Sequence, residues 1–97
     1  MKVTSDITEM DLGYAFHASL SEQDPEQIVL ISARAWDESP ALSFKNPNLK
    51  QILEQSLSAI VAKKAAARKS WHHMLAREKG WASIFITGED CRRIGLA

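Results

Sequence analysis

The sequence predicts a mainly α domain: two short N-terminal helices packed on one long helix over about 47–79, with a short C-terminal strand or turn. Three observations lead there. Apolar residues recur at i, i+4 spacing between Met10 and Leu20. Two steps, Asp24-Pro25 and Asn46-Pro47, carry the cap-then-proline signature that opens helices. No Pro or Gly interrupts Asn48 to Lys79, where Ala, Leu, Lys, Gln and Arg, all strong helix formers, dominate.

The first element is a helix over about 7–20. Asp6 and Glu9 stand at cap and third-residue spacing. Met10, Tyr14 and Ala18 form one i, i+4 row, and Leu12, Phe16 and Leu20 another; Gly13 weakens it. The second is a largely buried helix over about 25–38, opened by Asp24-Pro25 with Gln27 at box spacing and closed by Ser39-Pro40. Its run Ile28-Val29-Leu30-Ile31 also suits a buried strand at 28–32, because so short an apolar run fits both periods. A loop spans 39–46. The long helix has an apolar seam of Leu49, Leu53, Leu57, Ile60, Lys64, Ala67, Trp71 and Met74, with alternating steps of four and three from Leu53 onward. Lys79-Gly80 supplies a basic last turn and a glycine stop. Trp81 to Thr87 reads as a short strand, with helical continuation after Gly80 as the alternative. Its partner is either Lys2-Val3-Thr4, the evident candidate within the chain, or another subunit. Thr87-Gly88-Glu89-Asp90 has the spacing of a cap for a final helical turn that Gly95 closes.

A chain of 97 residues, 45% apolar and without net charge, is one globular domain rather than a disordered segment. The lone Cys91 leaves no intramolecular disulfide. No apolar run approaches the roughly 18 residues of a membrane span, and no leader-like stretch opens the sequence, so a soluble cytoplasmic protein is expected. A helix of 32 residues would reach about 48 Å, against a diameter of roughly 33 Å for a domain of this size. It must therefore protrude, bend or pair with another chain, including a second copy.

Zero net charge conceals a division. Residues 1–47 carry three Lys+Arg against eight Asp+Glu, and residues 48–97 carry nine against four, so the halves stand at −5 and +5. Such halves attract each other, or they present a basic surface to a partner. Catalytic constellations are not evident. His72 and His73 are adjacent and point apart on a helix, His17 is remote, and the four glycines are isolated, so neither a metal pair nor a phosphate loop is formed. The carboxylates sit mostly at helix starts. No enzyme activity, cofactor or metal is expected.

What remains is binding. Lys63, Lys64, Arg68, Lys69, Trp71, Arg77 and Trp81 interleave cations with large aromatics, the residue types that anchor protein interfaces. Lys64 lies on the apolar seam, where an ammonium must reach water or an acid; it is expected to set register or partner choice. The expectation is a small non-enzymatic protein that docks on a larger protein as inhibitor or adaptor, in the manner of small phage or mobile-element accessory proteins. The alternative is a nucleic-acid-binding protein using the basic helix 63–79.

Overall fold

The computed structural model describes residues 1–24, 26–67 and 82–97. The chain runs β1 (Lys2–Val3), β2 (Thr8–Met10), β3 (Gly13–Ser19), β4 (Gln27–Ser32), α1 (Ala33–Glu38), α2 (Leu49–Ala66), β5 (Ile84–Ile86) and α3 (Gly88–Arg93). The expectation of a mainly α, all-helical protein is wrong. Among the described residues the strands form one mixed five-stranded sheet, and only α2 exceeds two turns.

Strand β3 is the hub. It pairs antiparallel with β4 along one side, from Gly13↔Ser32 to Ala18↔Gln27. Its other side takes two short segments, β2 against residues 13–15 and β1 against residues 18–19. Between them the ladder is patched: Thr4 N–H donates to the His17 carbonyl at 2.9 Å, and the Ser5 hydroxyl accepts from His17 N–H at 2.8 Å. β5 then adds to β4 in parallel, with Val29↔Ile84 and Ile31↔Ile86. A parallel neighbour requires a crossover, and α1 and α2 lie within it.

Alternation along the strands divides the sheet into two faces. The inner face carries Phe16, Ala18, Val29, Ile31, Ile84 and Ile86, all buried against Leu49, Leu53, Leu57 and Val61 of α2. Each of these side chains except Ala18 contributes about 1.5–3 kcal/mol by leaving water. The buried stripe of α2 advances in steps of four rather than in heptads, so Val61, not Ile60, is its fourth fully buried position. α2 also holds the sheet edge: Glu54 Oε2 accepts from Val3 N–H at 2.8 Å.

The corrections have specific physical causes. The segment assigned to a helix over 7–20 is β2, a turn and β3. Tyr14, Phe16 and Ala18 satisfy a period of two as well as Tyr14 and Ala18 satisfy i, i+4, and Gly13 decides between them. Its φ is +154°, and a Cβ there would lie 2.0 Å from the Ile31 carbonyl oxygen, a close approach that only glycine permits. The segment 25–38 is a strand, then a short helix. The β-branched run forms β4 over 27–32, and the cap of α1 is Ser32, whose hydroxyl accepts from Ala35 N–H at 3.1 Å. Asp24 closes a turn with Ser21 instead. Of the helix expected over 47–79, residues 49–66 are helical and about 27 Å long, and Ala67 is its C-cap; residues 68–79 lie outside the described residues. β5 finds its partner in β4, not in residues 2–4, which pair with β3 instead.

The C-terminal turn follows its spacing. Thr87 caps α3 through a reciprocal box with Asp90, and Gly95 takes the left-handed conformation (φ +82°).

Candidate functional site

The outer face of the sheet is the surface that calls for an explanation. Its residues are set by register: Thr8, Ala15, Leu30 and Phe85 lie in one row across four strands, with His17 and Ile28 in the next. A sheet with one solvated face ordinarily alternates apolar inward with polar outward. Here the outward positions of β4 are Ile28 and Leu30. Met10 and Leu12, at the β2–β3 turn, continue the apolar surface. Met10 is 54% and Leu12 73% exposed.

These residues line an open groove of about 550 Å³ with Ala82 and Phe85, and Asp11 stands at its rim. The groove continues toward β1 as a smaller hollow that includes Ser5, Asp6, Thr8 and His17. There His17 Nδ1 lies 3.3 Å from Glu26 Oε2. A hydrogen bond from the Thr4 side chain, and then the one from His17, hold the Glu26 carboxyl below its ordinary range. Both partners are half exposed, so the pair stays in high dielectric and is worth little.

Lys63, one of the cations singled out in the sequence, is exposed on the last turn of α2. Lys64 points back into the molecule: its Nζ donates to Asp90 Oδ2 at 2.5 Å and to the Phe85 carbonyl at 2.6 Å. It thus finds its acid within the chain, 26 residues on. Burial alone would raise the Asp90 pKa; the bonds from Lys64 and from Thr87 N–H and Oγ1 outweigh it and hold the carboxyl below its ordinary value. Arg68, Lys69, Trp71, Arg77 and Trp81 lie outside the described residues. The sequence reading missed Met10, Leu12, Ile28 and Leu30 as surface candidates because it had turned them inward on helices.

Cys91 is wholly buried, and burial pushes its thiol pKa up despite a hydrogen bond with Ser39. Among the described residues no three His, Cys, Asp or Glu side chains converge as a ligand set, and no helix is long and apolar enough to cross a membrane. The class defined by these features is a small α/β domain with one sheet face covered by α2 and an apolar groove on the other, where Met10, Leu12 and Phe85 are exposed. Comparison with known proteins adds no relative: no family model, no curated protein and no solved structure matches the chain.

Proposed function

We propose that this is a small non-enzymatic binding protein that docks on a larger protein, as inhibitor or adaptor, through the outer face of its sheet. One observation carries the reading: exposed Met10, Leu12 and Phe85, with half-buried Ile28 and buried Leu30 at their base, line an apolar groove on a face that a free-standing sheet would turn polar. Its rim favours protein over nucleic acid. Asp11 borders the groove and Asp6 the hollow beside it, and carboxylates repel a phosphate backbone.

The test compares the wild-type chain with Leu12→Asp in parallel affinity purifications from the native host, each with and without nuclease. Leu12 is a turn residue and mostly exposed, so the fold survives the change, which circular dichroism verifies. The reading expects a stoichiometric protein that survives nuclease and is lost with Leu12→Asp. A protein retained equally by both chains overturns it, as does nucleic acid in place of protein. Sedimentation equilibrium of the purified chain separates self-association, since a dimer dissolved by Leu12→Asp would make the partner a second copy.

A further inference from the structure

On the opposite side of the sheet from this groove, a second surface combines aromatic faces with unpaired acids. Tyr14 and Trp36 stack with centroids 4.2 Å apart and planes 22° from parallel. Phe44 closes the cluster at 5.7 Å from Tyr14 and 5.3 Å from Trp36. Trp36 is buried, whereas Phe44 is 56% exposed. The loop that presents Phe44 is firmly pinned. Leu42 N–H donates to the Ser39 carbonyl, Asn46 N–H to the Ser43 carbonyl, and the Asn46 side-chain amide to the Ala41 carbonyl. An exposed phenyl ring therefore stands at a fixed position, with its ordering already accomplished in the free protein.

Acids flank this platform. Glu9 is the direct cross-strand partner of Tyr14, which places it on the same side of the sheet. Asp37 lies with Trp36 and Phe44 around a hollow of about 420 Å³. Both carboxylates, after partial burial, push the Tyr14 hydroxyl above its ordinary pKa, so their fields converge on the cluster. Both are exposed, and neither meets a Lys, Arg or His of the described residues at ion-pair distance. Lys45 borders the same hollow.

We propose that the Tyr14–Trp36–Phe44 platform between Glu9 and Asp37 is a binding site for a cationic side chain, an arginine or lysine presented by a protein partner. The exposed face of Phe44 offers a negative quadrupole to the cation; Asp37 shares its hollow, and Glu9, across the strand pair from Tyr14, adds a second full charge to the cluster. A planar guanidinium suits it best, because it stacks on the ring while its N–H groups meet the carboxylates. This site is independent of the outer-face reading, and either stands if the other fails.

The experiment titrates isotopically labelled protein with the peptide acetyl-Gly-Arg-Gly-Arg-Gly-amide, followed by NMR at low salt. The control peptide carries citrulline, which keeps the shape and removes the charge. Saturable shifts of the Phe44 ring, the Trp36 indole and the Glu9 and Asp37 amides are expected with arginine and not with citrulline. Phe44→Leu keeps an apolar side chain and the loop but removes the π face; it weakens binding about threefold. Glu9→Gln and Asp37→Asn each weaken it about two- to threefold, and Lys45→Ala strengthens it by removing a competing cation. Equal response to citrulline, indifference to Phe44→Leu, or shifts centred on other acids such as Glu22 and Asp24 overturns the proposal. An unchanged amide spectrum elsewhere shows that each variant is folded.

Discussion

Removing the Asp90 carboxylate should cost more than any other single surface-reaching change, and the sum can be worked from its contacts. One oxygen, Oδ2, accepts from Thr87 N–H at 2.9 Å, Thr87 Oγ1 at 3.0 Å and Lys64 Nζ at 2.5 Å. Asp90 is only 8% exposed. Losing its half of the capping box costs about 1 kcal/mol, and losing a charge-assisted bond costs about 1.5–3 kcal/mol. Breaking a fully buried pair would cost about 3–5 kcal/mol. The Lys64 side chain is a third exposed and keeps the Phe85 carbonyl, so part of its charge is rehydrated and the lower end applies. Asp90→Ala is therefore expected to destabilise by about 3 kcal/mol, a fall in Tm of roughly 12–24 °C at 4–8 °C per kcal/mol. Urea unfolding followed by circular dichroism measures it. Lys64→Met should cost about 2 kcal/mol, and the double variant less than the sum of the two, with a coupling above about 1 kcal/mol. A loss below about 0.5 kcal/mol for Asp90→Ala, or additivity of the two variants, would refute the ion pair as a structural lock. Lys64→Leu, which would stabilise if the ammonium were unpaired on the apolar seam, should likewise destabilise, because it strands the Asp90 carboxylate.

The same contact sets an acid limit. The folded Asp90 pKa lies below its unfolded value near 3.9, so its contribution is complete above about pH 5 and is lost as pH falls through the folded value; Asp90→Asn should flatten stability between pH 5 and 2 relative to wild type. Gly13→Ala, which sets a Cβ against the Ile31 carbonyl and the Ala33 amide, should destabilise by upward of about 2 kcal/mol in the same urea assay. The Cys91 thiol should react with a disulfide reagent at neutral pH at least about 100-fold more slowly in the native protein than in urea, because only opening of the α3 segment exposes it; equal rates would place the thiol at the surface.

Local signals that act over three or four residues were legible. Thr87 and Asp90 cap α3, and Leu49, Leu53 and Leu57 face the core; the cap expected at Asn46-Pro47 falls instead at Asn48, which makes no side-chain cap bond. β5 was legible within Trp81 to Thr87 and β4 only as the alternative at 28–32, whereas β2 and β3 were not, because their distinguishing feature is absent. A half-exposed strand announces itself by polar residues at every second position, and here Ala15, Ile28 and Leu30 occupy outward positions. Without that alternation, β4 looks like any buried apolar run, and β3 matches a helical period equally well. The apolar outer face and the misassigned fold thus have one cause. Lys64 was legible only by half. Its need for an acid followed from its place on the seam, but Asp90 becomes its neighbour only when β5 returns the chain alongside β4.

The division of charge between the halves is only partly consumed within the molecule. Lys50 meets Asp6 and Arg92 meets Glu38 across it, at 3.3 and 3.2 Å. Both contacts are largely exposed, and such pairs contribute about 0–1 kcal/mol, so they do not hold the fold, whose stability resides in the α2–sheet core. Glu9, Asp11 and Asp37 meet no cation at that distance among the described residues. Asp11 edges the apolar groove, and Glu9 and Asp37 flank the aromatic platform on the other side of the sheet. Each surface then joins apolar or aromatic area, which supplies affinity, to acid at its border, which steers a basic partner. Raising salt from 0.05 to 0.5 M shortens the screening length from about 14 to 4 Å, so it should slow association with such a partner while leaving dissociation nearly unchanged. Leu12→Asp should do the reverse on the groove, hastening dissociation because an apolar contact is lost. Salt-independent association of a captured partner would place these acids outside its interface.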